Sequence, residues 1–120
     1  MSIRCLVVDD SARFLEVARG GLNRNGLEIV GTASTSAEAL DEARRLRPDV
    51  VLVDVGLGDE SGFELSRRLA ELPENAPRVV LISTRAEDDL AELIAESPVA
   101  GFIPKSRLSV EAVRALLEDR

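Results

Sequence analysis

Charged and hydroxyl side chains follow several apolar runs of this sequence, and such side chains can bind a metal ion or take part in a reaction. They are Asp9 and Asp10, Asp54, Ser83 and Thr84, and Lys105. Carboxylates brought to one place repel one another and raise one another's pKa, and a lysine offsets only about one negative charge. A divalent cation would offset the remainder. Because the donors are oxygens and the chain has no histidine, a hard ion such as Mg²⁺ fits best.

A carboxylate beside Mg²⁺, a hydroxyl and a lysine can also accept a phosphoryl group. In that chemistry Asp54 attacks the phosphorus, a hydroxyl donates a hydrogen bond to a phosphoryl oxygen, and Mg²⁺ and Lys105 neutralise charge. Each residue taken alone has a simpler interpretation. The acids are common in helix caps and turns, Thr84 can cap a helix, Lys105 can lie on the surface and Phe102 can be core.

Five apolar runs predict the strands that would carry these residues, at 3–8, 28–31, 50–53, 78–82 and 99–103. Most are near-continuous runs of Val, Leu and Ile, as in strands covered on both faces. Between them, apolar residues spaced three and four apart predict amphipathic helices. The stripes are Phe14, Ala18 and Leu22; Ala39, Leu40, Ala43 and Leu46; Leu65 and Leu69; Leu90, Leu93 and Ile94; and Val110, Val113, Leu116 and Leu117.

This alternation of strand and helix predicts an α/β fold. Because crossovers between parallel strands are right-handed, five β–α units imply a doubly wound parallel sheet with helices on both faces. Such sheets bind ligands at the carboxyl ends of their strands, where the polar residues lie. Pro48 is expected to end the second helix, and three capping boxes support helix starts. The boxes pair Thr35 with Glu38, Ser61 with Glu64, and Thr84 with Glu87.

Composition excludes several classes of function. The 120 residues suit one globular domain, with 45 % apolar and 31 % charged residues. A net charge of −7, with three Phe and no Trp or Tyr, disfavours direct nucleic-acid binding. The absence of histidine excludes imidazole catalysis within the chain. No apolar run is long enough for a membrane span and no leader is predicted, so a cytoplasmic protein is expected.

Four segments give the chain a resemblance to a known family. They are LVVDDS at 6–11, LVDVGLGDESGFEL at 52–65, VVLIST at 79–84 and GFIPKS at 101–106. Together they resemble the response-regulator receiver domain of two-component, or phosphorelay, signalling, over the whole chain. The resemblance implies a flavodoxin-like sheet with strand order 2-1-3-4-5. It also implies a single receiver domain over residues 1–120 with no output domain, either stand-alone or a fragment of a longer regulator.

The resemblance implies a chemical role for each polar residue. Asp54 would be the phosphoacceptor, and Lys105 would pair with it and then with the phosphoryl group. Ser83 would be the switch hydroxyl, followed by Thr84, and Phe102 would be the switch aromatic. The protein would not be an enzyme beyond catalysing its own phosphorylation and dephosphorylation.

The metal site and the partners are implied in the same way. Mg²⁺ would be held by Asp54, by Asp10 directly, by Asp9 largely through water and by the backbone carbonyl of Gly56. A sensor histidine kinase or a histidine phosphotransfer protein would supply the phosphoryl group. The fourth helix, fifth strand and fifth helix would report the state to a downstream protein, to a DNA-binding output domain of a longer regulator, or to a second copy in a phosphorylation-dependent homodimer.

Three other functions are open on the sequence. A pseudo-receiver would bind partners without phosphorylation, although the site residues are all present. A phosphatase of the haloacid-dehalogenase type also phosphorylates a strand-end Asp, but it needs a second acid where this chain has Gly56. A flavodoxin-type FMN binder would need a hydroxyl-rich phosphate loop after the first strand, where Asp9 and Asp10 would repel the phosphate.

The chain departs from the family pattern at several positions. Gly58 and Ser106 stand where the family usually has Pro, and the loop around Gly58 is therefore expected to be more mobile. A cis bond before Ser106 is not expected, since cis bonds are essentially confined to Pro. Phe102 has no hydroxyl, so any switching by this residue must act through packing.

Thr84 stands where the family usually has a small residue, often Ala, and this difference predicts a slower loss of phosphate. A bulkier side chain beside the phosphoryl group restricts the approach of water. We expect the phosphorylated wild type to lose phosphate more slowly than the Thr84→Ala variant, measured as first-order decay after removal of the phosphodonor. Equal or faster loss from the wild type would contradict this prediction.

Overall fold

A five-stranded parallel sheet forms the centre of the computed structural model, which describes residues 2–23 and 26–118. Its strands are β1 (Ile3–Val8), β2 (Leu27–Ala33), β3 (Val50–Asp54), β4 (Arg78–Ser83) and β5 (Gly101–Pro104). They lie in the order β2-β1-β3-β4-β5, and all neighbours are parallel. The predicted strand order and doubly wound fold are confirmed.

Helices cover both faces of this sheet. They are α1 (Ala12–Leu22), α2 (Ser36–Leu46), α3 (Gly62–Ala70), α4 (Ala91–Ala95) and α5 (Val110–Glu118), with 3-10 turns at Glu87–Leu90 and Lys105–Arg107. Side chains of α1 and α5 pack in one apolar cluster, and those of α2 and α3, with Leu90 before α4, pack in the other. None of the helices in the described residues combines the length and apolarity that a membrane span requires.

Strand β3 shows why the apolar runs are continuous. Val51 and Val53 pack in the cluster beneath α2 and α3, whereas Val50 and Leu52 pack in the cluster beneath α1 and α5. Successive side chains of a strand point to opposite faces, so a strand with helices on both sides needs apolar residues at every position. Cys5 of β1 is equally buried, and burial raises the pKa of its thiol to about 12, which leaves it a core residue.

Several strand boundaries differ from prediction, and β3 and β4 each end one residue later than predicted, at Asp54 and Ser83. Strand β2 is longer than the predicted 28–31, and β5 begins at Gly101 rather than at Val99. The amide of Val99 donates to Ser97 O at 2.9 Å, which keeps the chain in a turn at that point. Ladder pairing with β4 then starts with Val80 opposite Gly101.

The predicted caps hold for two of the three helices. Thr35 Oγ1 accepts from Glu38 N at 3.1 Å, and Ser61 Oγ accepts from Glu64 N at 3.3 Å. The second helix ends at Leu46, before Pro48 as predicted.

The predicted cap at Thr84 is wrong. The turn that leads into α4 begins after Ala86, which makes no side-chain capping bond. Ser83 Oγ instead accepts from Arg85 N at 2.9 Å, in a local turn at the end of β4. This uncapped segment is a 3-10 turn followed by only five α-helical residues. Leu93, predicted to lie on its apolar stripe, is 44 % exposed.

A short antiparallel hairpin follows β3, and nothing in the sequence pattern predicted it. Residues Gly56–Leu57 pair with Glu60–Ser61, leaving Gly58 and Asp59 as the turn. Gly58 has φ +63°, and a positive φ at the first central residue alone is typical of a type II′ turn. Pro, with φ fixed near −65°, cannot adopt it. The departure from the family pattern at Gly58 therefore belongs to a defined turn.

Gly62, directly after this hairpin, has no room for a side chain. A Cβ there would lie 2.8 Å from Val55 Cα and would clash with the carbonyl oxygen of Asp54. We expect Gly62→Ala to lower the free energy of unfolding by about 3 kcal/mol, since backbone rather than a flexible side chain must move. Urea denaturation measures the change.

The control for this prediction is Gly20→Ala in α1, where the added Cβ meets no atom within 4 Å. Because Gly in a helix interior is less favourable than Ala, this variant is expected to gain about 0.5–1 kcal/mol. Equal changes in the free energy of unfolding for the two substitutions would contradict the claim that the close backbone approach at Gly62 excludes a side chain.

Candidate functional site

Three carboxylates meet at the carboxyl edge of the sheet. Strands β1 and β3 are neighbours with Val8 opposite Val53, so Asp9, just after β1, and Asp54, the last residue of β3, lie side by side. Asp9, Asp10 and Asp54 each place a carboxylate oxygen within 4.8 Å of the others. Asp9 and Asp54 are buried, and Asp10 is exposed. The predicted acidic cluster is therefore present, with one side open to solvent.

Lys105 reaches this cluster from the turn after β5. Its Nζ lies 2.6 Å from Asp9 Oδ2 and 3.5 Å from Asp54 Oδ2, and its side chain is 16 % exposed. The ring of Phe14 in α1 lies on another side of the ammonium, with the centroid 4.3 Å from Nζ. Two carboxylates and an aromatic face thus surround one cation.

Backbone amides hold the carboxylates in their orientations. Asp9 Oδ1 accepts from Ser11 N at 2.9 Å, and Asp54 Oδ1 accepts from Gly56 N at 3.4 Å. Asp9 Oδ2 is buried, and the Lys105 ammonium lies 2.6 Å from it. Both oxygens of the buried Asp9 carboxylate are therefore engaged, one by a backbone amide and one by Lys105.

The pKa values of the site follow from this crowding. Burial, and next the charge of Asp9, raise the pKa of Asp54, while Lys105 and the Gly56 amide oppose that change. Partial burial by itself would lower the pKa of Lys105, but Asp9 and Asp54 together raise it above its usual value. The site thus keeps its cation charged and holds an ionised Asp54 at a cost in free energy.

The donor set fits a hard divalent cation. It consists of one carboxylate oxygen from each of Asp9, Asp10 and Asp54, all within 4.8 Å of one another. Three carboxylates against one ammonium leave two formal negative charges. Gly56, exposed on the hairpin, donates its amide to Asp54 Oδ1, so its backbone adjoins the acids. All-oxygen donors of this kind suit Mg²⁺.

Ser83, Phe102 and Thr84 lie at or near the same edge in different environments. Ser83 ends β4 with only 2 % exposure, and its Oγ accepts the Arg85 amide, which leaves the hydroxyl proton free to be donated elsewhere. Phe102 is buried and packs with the cluster beneath α2 and α3. Thr84 is exposed and lines a shallow surface groove together with Pro104.

Sequence reasoning missed two residues that touch this site or its supporting loop. Phe14 was assigned only to the apolar stripe of α1, yet its ring lies against Lys105. Phe14 and Lys105 lie in distant segments of the chain, and no local pattern links them. Glu60 was not singled out, yet its carboxylate bonds the backbone of α2. That contact joins segments far apart in sequence and leaves no local signal.

Comparison with known proteins identifies the family. The sequence profile of the response regulator receiver domain matches residues 5–117. The chain therefore belongs to the response regulator receiver domain family, whose members are signalling phosphoacceptors of two-component systems.

Individual relatives agree. The chain is 34 % identical over 119 residues to the response regulator GacA of Pseudomonas viridiflava. This alignment covers 95 % of this chain and 53 % of GacA. A two-component response regulator of the LuxR family from Aurantimonas sp. SI85-9A1 has a TM-score of 0.87 and 26 % identity, with 100 % of this chain and 88 % of that one covered. A response regulator protein from Burkholderia pseudomallei with a phosphorylated aspartic acid, calcium ion and citrate has a TM-score of 0.81 and 29 % identity, with 97 % and 66 % covered. The chain spans about half the length of the GacA relatives.

The crowded carboxylates predict opposite effects of one substitution with and without metal. Because folding raises the pKa of Asp54, its ionised form costs stability above the ordinary Asp range, and a neutral Asn does not. In EDTA we expect Asp54→Asn to melt at a higher temperature than the wild type. Saturating Mg²⁺ is expected to stabilise the wild type by about 2.7 kcal/mol at one hundred times the dissociation constant, and the variant by less.

Asp59→Asn is the control for this measurement, since Asp59 carries the same charge on the exposed hairpin turn. It should change neither the melting temperature in EDTA nor the Mg²⁺ response appreciably. A loss of stability of Asp54→Asn in EDTA, or equal Mg²⁺ responses of all three proteins, would contradict the electrostatic account.

Proposed function

We propose that this receiver accepts a phosphoryl group on Asp54 in a Mg²⁺-dependent reaction, from the phosphohistidine of a sensor kinase or a phosphotransfer protein. The observation that carries the proposal is the position of Asp54 at the end of β3, beside the acids that follow β1 and 3.5 Å from the ammonium of Lys105. A nucleophilic carboxylate, a metal-compatible donor set and a fixed cation are the groups that phosphoryl transfer needs.

In the transfer, an Asp54 oxygen forms a bond to phosphorus while the bond from phosphorus to the donor's imidazole nitrogen breaks. Lys105, which the two acids keep protonated, lies 3.5 Å from Asp54 Oδ2 and can follow the charge as it moves onto the phosphoryl oxygens. Ser83 has a free hydroxyl proton to donate to one of those oxygens. Mg²⁺ held by Asp10, Asp54 and the Gly56 carbonyl, with Asp9 nearby, would supply the further positive charge.

The related Burkholderia pseudomallei structure supports the assignment, because it is described as holding a phosphorylated aspartic acid and a calcium ion. Its likeness extends over 97 % of this chain at 29 % identity. In this chain Asp54 ends a central strand, with Asp9 and Asp10 in the same acidic cluster and Lys105 Nζ 3.5 Å from its Oδ2.

The output side of the function is also proposed. Ser83 would move toward the phosphoryl group, and Phe102 would change its packing against the apolar cluster in response. The surface of α4, β5 and α5 would then change its affinity for a downstream protein, a second copy, or a DNA-binding output domain in a longer regulator. The chain itself would be a single receiver domain over residues 1–120, and the cytoplasm stays the predicted location.

Phosphorylation by a small donor tests the central assignment. After incubation with Mg²⁺ and acetyl phosphate, intact mass spectrometry should detect one phosphoryl group on the wild type. It should detect none on Asp54→Ala or in EDTA. The control Asp59→Ala removes a carboxylate five residues further on, in the turn of the hairpin, and should be modified like the wild type.

The alternatives give different results in this experiment. A pseudo-receiver would show no adduct on the wild type under any condition. A phosphatase would release phosphate catalytically from a small phosphate ester with Mg²⁺, in excess over protein. An adduct that persists on Asp54→Ala would falsify the assignment of Asp54.

A further inference from the structure

The hairpin after β3 has little to stabilise it by itself. Each of its strands has two residues, Gly56–Leu57 and Glu60–Ser61, and an isolated two-stranded hairpin is at best marginally stable in water. At its base the Gly62 amide donates to Val55 O at 2.9 Å. Leu57 is buried in the cluster beneath α2 and α3, whereas the turn residues are exposed.

Glu60 ties this hairpin to a second element. Its Oε1 accepts from Ser36 N at 2.8 Å, across 24 residues of sequence. Ser36 is the first residue of α2, and its amide is one of those at a helix start that have no partner within the helix. Thr35 Oγ1 already accepts from Glu38 N, so the two oxygens satisfy different amides of the same helix end.

The chemistry of this contact favours a carboxylate. Backbone amides and the helix dipole make the start of a helix attractive to negative charge. Hydrogen bonds in which the acceptor is ionised are shorter and stronger than neutral ones. Glu60 is thus held by a charge-assisted bond to a helix that itself packs on the sheet.

The anchored hairpin also carries parts of the candidate metal site. Gly56 lies on its first strand, and the Gly56 amide bonds Asp54 Oδ1 at 3.4 Å. A Cβ at Gly58 would lie 3.5 Å from Asp10 Oδ2, so the turn runs close to the exposed acid. Because Gly56 and Glu60 are on the two paired strands, a bond that fixes Glu60 also restrains the Gly56 carbonyl.

We propose that Glu60 is a positioning residue for the metal site: by bonding the start of α2, it holds the hairpin so that the Gly56 carbonyl remains at the acidic edge. The inference rests on the proposed Mg²⁺-dependent function. It assigns Glu60 no contact with the metal or the phosphoryl group. Its effect comes from preorganisation, as with other outer residues that orient metal ligands.

Three variants separate this role from a general effect of charge. Glu60→Ala removes the acceptor and the charge, Glu60→Gln keeps an acceptor oxygen, and Asp59→Ala removes an equal charge from the neighbouring turn position. Among the described residues, the Asp59 carboxylate has no hydrogen-bond or ion-pair partner, so its loss reports the charge effect alone.

The first readout needs no metal. In the metal-free protein, amide hydrogen exchange followed by NMR should be faster at Ser36 and across 56–61 in Glu60→Ala, and close to wild type in Asp59→Ala. The second readout is the Mg²⁺ dissociation constant from calorimetric titration. Glu60→Ala should weaken Mg²⁺ binding about tenfold, which is the size expected for loss of an outer positioning contact. Asp59→Ala should stay close to wild type, and Glu60→Gln should lie between wild type and Glu60→Ala, because it keeps an acceptor oxygen but loses the charge-assisted bond.

Equal effects of Glu60→Ala and Asp59→Ala on both readouts would overturn the inference, since they would reduce Glu60 to one surface charge among others. Failure of the proposed function looks different, because the wild type would then bind no Mg²⁺ and form no adduct with acetyl phosphate. A globally destabilised Glu60→Ala would show faster exchange in the core strands as well, and then Glu60→Gln decides: Mg²⁺ binding in that variant no tighter than in Asp59→Ala and as weak as in Glu60→Ala would also overturn the inference.

Discussion

Repulsion among the carboxylates at the end of β1 and β3 is the constraint on which the rest of this structure depends. Three acids share a space in which their oxygens lie within 4.8 Å, and Lys105 is the cation that reaches them. Burial makes the repulsion stronger, because charges in a low dielectric are poorly screened. The fold tolerates this arrangement because both apolar clusters and the sheet hold the strand ends in place.

The neighbouring features act on that charge balance. Lys105 is shared between Asp9 and Asp54 and bounded by the Phe14 ring, so it stays charged and within reach of both acids. The hairpin after β3 contributes its Gly56 amide to Asp54, and a tight II′ turn at Gly58 keeps it short. Binding of a divalent cation or addition of a phosphoryl group therefore changes the net charge of this cluster directly.

Much of this arrangement was predictable because parallel strands end at one edge of the sheet. Continuous apolar runs located the strands, and the residues after them, from Asp9 to Lys105, could be placed together without any structure. Prediction from a local pattern failed where the same residue spacing fits two structures. The Thr84 and Glu87 spacing matches a capping box, but at the end of β4 the chain is still in a turn stabilised by Ser83.

Contacts between distant segments were not predictable. The bond from Ser36 to Glu60 joins a helix start to a hairpin whose strands have two residues each, too short for an alternating pattern. The approach of Phe14 to Lys105 depends on how α1 packs against the turn after β5. Such contacts depend on tertiary packing, and a local sequence pattern does not contain that information.

A crystal structure of the wild type grown in Mg²⁺ tests the central claim most directly. The account predicts one ion in octahedral oxygen coordination, at about 2.0–2.1 Å from oxygens of Asp10, Asp54 and the Gly56 carbonyl. It also predicts that Lys105 Nζ remains within ion-pair distance of Asp54. A site without an ion at saturating Mg²⁺, or an ion bound away from these residues, would contradict it.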